Sequence, residues 1–480
     1  MRNVAWSFGN TFLSKGFSVI FSVIIGNLML PGELGLFVTL MLIITYGANI
    51  FSINLGGGIV QKLNSIADSG EQSRYFTAGM LGTLVLSILA MGVLFLIRQW
   101  VIRLFQVPNA REVIHLTYPL LALAMLKSYF THVHQAHLNF RQLTLISVVA
   151  DVSQVIVTLF LLLVGYGLQG VFWGLYTGAA IALVPLVHYS VKKYGFTLNH
   201  HTWRRLWELL GFSSVIFIGS VAVLLDQRID MIFVAHFLEN QDVALYDYVL
   251  KFSLLFVLFG NSISRVTYPK FTRAFSTHPR EDINRTLSFS LNYTFFFLTL
   301  ASLLFFLHAE LIIDLILPSF YLQLVPYLLI LLVGVIPKSV VTSVGTLFTA
   351  KGIPSVSAWI NWLLLAVNVS LNIILIPRYG LYGAAFATST SFLLKPVIMF
   401  ALIARKIKVQ YPFGRLLLNF VLFIGVLVGG HYIDHYLLRE LLFISYLFYC
   451  YRLFLGREEK QYLQLGWSRF NRKMGRFIRM

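Results

Sequence analysis

Apolar runs of about 20 residues follow one another along this chain, and about 20 residues is what a helix needs to cross a bilayer. That pattern leaves little choice of fold. In lipid every backbone N–H and C=O must be paired within the protein, so only helices and closed barrels can span. Runs this long, without strict alternation, are helices. Fourteen spans are expected, at about 8–30, 35–60, 77–97, 113–134, 143–164, 168–190, 211–236, 243–264, 289–309, 325–348, 356–377, 381–404, 416–433 and 437–455. Composition agrees: 58% of the 480 residues are hydrophobic and 12% are charged. The first run follows Arg2 and leads straight into a second, so it reads as a retained helix rather than a signal peptide. The single cysteine, Cys450, excludes an intramolecular disulfide.

The net charge of +18 does not call for nucleic acid. With the N-terminus in the cytoplasm, 26 of the 37 Lys and Arg residues fall on the inner side and five fall outside. The outer five are Arg98, Arg103, Arg111, Arg378 and Arg439. Basic residues concentrate in cytoplasmic loops, so this asymmetry sets the expected orientation. Trp203 to Leu210 and the tail 467–479 are basic and aromatic, and are expected on the anionic inner leaflet.

The stretch Ala366 to Ser391 reads as a transmembrane hairpin. An apolar helix carrying Asn368 and Asn372 is expected to break at Pro377 and turn through Tyr379-Gly380-Leu381-Tyr382-Gly383. It then re-enters as a helix of small residues that pack closely. The same turn occurs 213 residues earlier, as Tyr166-Gly167-Leu168-Gln169-Gly170. Lys127-Ser128 and Lys338-Ser339 are offset by 211, and the loops Gly26 to Phe37 and Ala235 to Tyr246 by 209. Markers at one spacing make an internal repeat of six spans. Six is even, so both copies face the same way, about an axis along the membrane normal. The expected architecture is an all-α integral membrane protein of two pseudo-symmetric six-helix lobes around a central cavity. The N-lobe is 1–205 and the C-lobe 206–410. Two additional helices follow over 411–455, then a basic cytoplasmic tail, 456–480.

The Asn-bearing span, Pro377, the Gly-Leu-Tyr-Gly turn and the Ala-Ala-Phe-Ala-Thr run resemble the Wzx-type polysaccharide flippases of the MOP superfamily. So does Asp230 followed by a short loop and Tyr246. That superfamily also holds the MATE multidrug exporters and the lipid II flippases. The resemblance covers the first twelve spans and implies a MATE-like fold. It also implies translocation of a lipid-linked oligosaccharide, of the undecaprenyl-pyrophosphate type, across a bacterial cytoplasmic (inner) membrane. The product would feed surface polysaccharides such as lipopolysaccharide. Wzx-like proteins commonly stop at twelve spans, so the last pair departs from the pattern.

Six basic residues fall inside spans: Lys15, Lys127, Arg228, Lys251, Lys338 and Lys395. Facing lipid, each would cost about 2.5–3.5 kcal/mol, roughly 15–20 kcal/mol in all. They are therefore expected to face water or a partner. Asp247 and Lys251 are one turn apart in the favourable order and should pair. Lys15, Lys127, Lys338, Lys395 and Arg228 remain as an anion-binding set for the substrate cavity, with Lys127 and Lys338 at matching places in the two lobes. Lysine attracts phosphate as a point charge. Asp226 and Asp230 share a helical face, with Arg228 roughly 160° away. Together with Asp151 they are the candidates for coupling to H+ or Na+. Gly56-Gly57-Gly58 marks a place where span two can either unwind beside substrate or pack closely on a neighbouring helix. His132, His134 and His137 have no carboxylate nearby and only two share a face, so no metal and no cofactor are expected.

No GxxxxGK[ST] sequence occurs, which leaves an ion gradient or consumption of the product to drive transport. Membrane lipids and a polysaccharide polymerase are the further partners expected. The alternatives are a MATE-like drug or cation antiporter, a lipid II-type flippase, and a membrane polymerase or ligase. A cation exporter needs unpaired acids, whereas this set is basic. Lipid II flippases carry early N-lobe arginines that spans one and two lack. A polymerase needs a sizeable outer loop, and every outer loop here is short. An enzyme is not expected.

Overall fold

The computed structural model describes residues 16–105, 108–137, 140–198, 201–277, 280–409, 411–433 and 435–454. The helices in order are α1 (Gly16–Leu28), α2 (Pro31–Ser52), α3 (Leu55–Ser65), α4 (Ser69–Leu104), α5 (Thr117–Ala136), α6 (Phe140–Leu163), α7 (Gly167–Tyr194) and α8 (His201–Phe237). They continue as α9 (Asn240–Thr277), α10 (Arg280–Leu307), α11 (Ala309–Ile316), α12 (Val325–Thr342), α13 (Leu347–Ala350), α14 (Pro354–Leu402), α15 (Phe413–Tyr432) and α16 (Tyr436–Tyr449). Among the described residues there is no strand, and nine helices are long and apolar enough to cross a membrane. Large apolar side chains cover the outside, with Leu96 79% and Leu315 82% exposed, as a lipid-facing surface requires.

Several helices break where the sequence has a reason to break them. α2 and α3 are one span interrupted at Ile53 and Asn54, both left-handed with φ 46° and 54°. Such backbone costs energy in a non-glycine residue. Asn54 offsets part of that cost by capping α3, its side chain accepting from Gly57 N at 3.2 Å. The break falls just before the glycine triplet.

α14 is two helices meeting at Gly380, whose φ of 57° and ψ of −135° suit glycine. The break expected at Pro377 therefore falls three residues later, inside the expected turn of Tyr379 to Gly383. Pro377 stays inside the first limb, and it is the following glycine that reverses the chain. The earlier copy of the turn shares the positive φ, Gly167 having φ 48°.

Packing divides the chain into two units, Met1–Leu245 and Tyr246–Met480. α8, which the repeat counts with the second half, packs in the first unit on α3 and α4. Its seat is narrow. A Cβ at Gly58 would lie 2.0 Å from Ser213 Oγ, and one at Gly82 2.4 Å from Leu206 Cδ1. Trp203 and Trp207 point outward, while Leu206 and Leu209 are buried. At the same end Arg205 bridges Glu208 (2.8 Å) and Glu71 (3.1 Å), and the Tyr75 hydroxyl donates to Glu208 at 2.5 Å.

In the second unit α15 and α16 pack on α10. The Tyr446 hydroxyl donates to Asn419 O at 3.2 Å, and Phe295 meets Phe420 edge-on at 4.9 Å. Arg439 and Glu440 interrupt the apolar pattern here, and both find partners at the end of α10. Arg439 donates to Leu307 O at 3.0 Å, and His308 lies 3.6 Å from Glu440.

Candidate polar cavity of the first unit

Two adjoining cavities, of about 260 and 300 Å³, open in the first unit and share Asn49, Ser52, Met125 and Ser128. α2 supplies Thr45, Asn49 and Ser52, spaced i, i+4 and i+7 and so aligned on one face. The chain break supplies Asn54 and Gly56, and α5 supplies Lys127, Ser128 and His132. Gln154 of α6 and Phe217 and Val221 of α8 complete the walls. The break is what shapes this site. Gly56 sits so close to α5 that a Cβ there would lie 2.5 Å from His132 Nδ1.

Lys127 is half-buried in the wall. Among the described residues no carboxylate and no hydrogen-bond acceptor reaches its ammonium group. Gln154 likewise has no protein partner among them, whereas Asn49 donates to Thr45 O at 2.8 Å and His132 Nδ1 lies 2.8 Å from Ser128 O. The cavity thus presents one uncommitted cation, one uncommitted amide and several hydroxyls, a set that can hold an anion and the hydroxyls of a sugar.

The other expected residues lie elsewhere. Lys338 is 7% exposed and its ammonium sits 3.4 Å from the centre of the Phe392 ring. Lys395 donates to Asn361 Oδ1 at 3.4 Å. Asp247 and Lys251 pair at 2.5 Å, as their spacing implies. Lys15 lies outside the described residues, and Asp151 is half-buried on α6.

Asp226, Arg228 and Asp230 do not lie on an unbroken helix. α8 is non-helical at Arg228 (φ −153°, ψ 22°), so the expected separation of roughly 160° no longer applies. Tyr46 of α2, whose hydroxyl is buried with no partner among the described residues, is within electrostatic range of all three. Asp230 is 3% exposed and accepts from Met231 N at 3.0 Å.

Of the histidines, His134 is buried with Nδ1 3.1 Å from Phe130 O, and His137 meets the Tyr194 hydroxyl. No group of three metal-ligating side chains occurs among the described residues.

Sequence reasoning from charge found Lys127 but passed over Thr45, Tyr46, Asn49, Ser52 and Gln154. The signal was present for three of them. Thr45, Asn49 and Ser52 form a polar stripe on an otherwise apolar span.

Comparison with known proteins fits this picture. Residues 24–326 match a family described as polysaccharide biosynthesis protein. A probable low-salt glycan biosynthesis flippase of Haloferax volcanii, Agl15, is 22% identical over 274 residues, 56% of this chain and 57% of that protein. The chain thus spans a little over half the length of that curated relative. Among solved structures, an inward closed lipid II flippase, MurJ, superposes with a TM-score of 0.76 at 17% identity, covering 94% of this chain and 98% of the other. An inward-facing MATE multidrug transporter of the MOP superfamily gives 0.64 at 14% identity, covering 82% and 94%. The fold is the one these transporters share, and the chain is a multi-pass membrane protein.

Proposed function

The chain belongs to the polysaccharide biosynthesis protein family, and from that premise we propose that it is a flippase for a lipid-linked oligosaccharide, acting in a bacterial cytoplasmic membrane. The observation that carries this reading is the polar cavity of the first unit with Lys127 in its wall. A pyrophosphate needs a cation in a site of low dielectric, and the sugar needs hydroxyl and amide partners. Lys127 supplies the first. Gln154, Asn49 and Ser52 supply the second.

Transport of this kind makes and breaks no covalent bond. Its drive is an ion gradient or removal of product, and Asp226, Asp230 and Asp151 are the carboxylates available for H+ or Na+. A polysaccharide polymerase is the partner that would consume the product. Lys338 and Lys395 hold secondary positions in the second unit.

The test is complementation of a flippase-deficient strain at matched membrane abundance. Lys127→Ala should impair export and Lys127→Arg should largely preserve it, because charge is what counts. Full export by the Lys127→Ala, Lys338→Ala double variant would overturn the reading.

A further inference from the structure

The two cavities of the first unit adjoin but are not alike. Lys127 lines one and His132 lines the other. These residues are five apart, so they point roughly 140° apart around α5. On the His132 side, no Lys, Arg, Asp or Glu lines the cavity among the described residues. The hydroxyl protons on that side are already committed to backbone carbonyls. Thr83 donates to Gly79 O at 2.8 Å, Tyr129 to Phe76 O at 2.8 Å and Ser52 to Asn49 O at 3.0 Å. Each oxygen keeps a lone pair for a ligand. Asn49 has its amide N–H on Thr45 O, which leaves its carbonyl oxygen. His132 follows the same rule. Ser128 O can only accept, so Nδ1, 2.8 Å away, carries the ring proton. Nε2 of the neutral ring is then a bare acceptor. The other edge of the ring packs on Gly56, where a Cβ would lie 2.5 Å from Nδ1, so its orientation is fixed. The donors on this side are the Asn54 amide, whose oxygen accepts from Gly57 N at 3.2 Å, and the Ser128 hydroxyl. Acceptors thus outnumber donors. A ligand rich in hydroxyl protons is matched by such a surface. A carboxylate would find too few donors to replace its hydration.

Building on the flippase reading, we infer that the His132 side holds the first sugar of the lipid-linked oligosaccharide and selects a neutral, hydroxyl-bearing sugar over a uronate. The pyrophosphate lies at Lys127, which leaves no cation for a second acidic group. The sugar ring lies beside it, its hydroxyls donating to His132 Nε2, Asn49 Oδ1 and Thr83 Oγ1. The cavity there, of about 260 Å³, has room for one ring.

The full chain, purified in detergent at about pH 8, where an ordinary imidazole is neutral, is titrated with three probes. They are farnesyl pyrophosphate, its glucosyl ester and its glucuronosyl ester. The two sugars differ only in a hydroxymethyl group against a carboxylate. The glucosyl ester should bind about 10-fold more tightly than the bare pyrophosphate, the gain from one or two hydrogen bonds. The glucuronosyl ester should bind no more tightly than the bare pyrophosphate. In His132→Phe, which keeps a ring against Gly56, the glucosyl advantage should fall to about 3-fold or less. His132→Gln, whose amide oxygen can accept, should restore most of it. Equal binding of the two esters would overturn the inference. So would a glucosyl ester held no better than the bare pyrophosphate, or an undiminished advantage in His132→Phe. Those outcomes leave the flippase reading standing. Farnesyl pyrophosphate binding undiminished in Lys127→Ala would instead remove the anion site of that reading, and this inference with it.

Discussion

The hairpin of α6 and α7 and the hairpin folded inside α14 hold matching places in the repeat, and different chemistry closes each. In the first, Gly170, Gly174 and Gly178 recur every four residues and form a groove. A Cβ at Gly174 would lie 1.9 Å from Thr158 Oγ1, and one at Gly178 2.9 Å from Gln154 Cβ. In the second, the same three positions are Gly383, Ala387 and Ser391, a graded set of small residues. Gly383 makes a comparably close approach, 2.3 Å from Leu375 O for a built Cβ. Beyond the turn, polar bonds take over. Asn368 donates across the hairpin to Thr388 at 3.4 Å and Ser391 to Leu364 O at 3.2 Å, while Asn372, on the same limb, donates to Asn368 Oδ1 at 2.9 Å and orients it. Close packing and buried amides are thus alternative ways to join two helices where lipid gives no hydrophobic drive.

The comparison can be broken most sharply at Gly383. Its neighbour is backbone, which cannot rotate away, so Gly383→Ala should cost about 3 kcal/mol or more. Melting of the purified chain in detergent measures this, and near-parental stability would remove the close approach from the account. Gly174→Ala should cost less, about 1–3 kcal/mol, because the obstacle is one hydroxyl. Pairing it with Thr158→Ala should recover part of the loss. Strict additivity in that cycle would show that the two positions do not meet. Asn368→Leu should cost about 0.6–1.7 kcal/mol, the range for buried polar contacts between membrane helices. No loss there would mean that small residues alone hold the second hairpin too.

The smallest effect is expected at Lys338. Losing its contact with the Phe392 ring costs about 1–2 kcal/mol, and removing a buried charge returns a similar amount. Lys338→Met should therefore melt within about 1 kcal/mol of the parent. A larger loss would make Lys338 a structural anchor.

The all-helical, membrane-crossing character and the two glycine turns were legible because apolar length and glycine spacing are local properties of sequence. The Asp247–Lys251 pair was legible for the same reason. The kink in α8 was not, since no proline or glycine marks Arg228. The two Lys-Ser pairs look alike in sequence. Their surroundings differ because Ser128 lines an open cavity, whereas Ser339 is fully buried with its hydroxyl on Val335 O at 2.6 Å. What a lysine faces is decided by helices distant in the chain, and periodicity carries no record of them.

The seat of α8 on α3 and α4 also sets an order of events during synthesis. Gly58, Gly79 and Gly82 leave a groove that Leu206, Leu209 and Ser213 enter, with Tyr129 of α5 also against Gly79. Gly79 precedes Leu209 by about 130 residues, so at ribosomal speed the groove waits on the order of 10 s for its partner. Until then Glu71 has Arg74 as its partner, at 2.7 Å in the finished fold, but not yet Arg205. The first unit is complete only when the chain has passed the midpoint of its own symmetry.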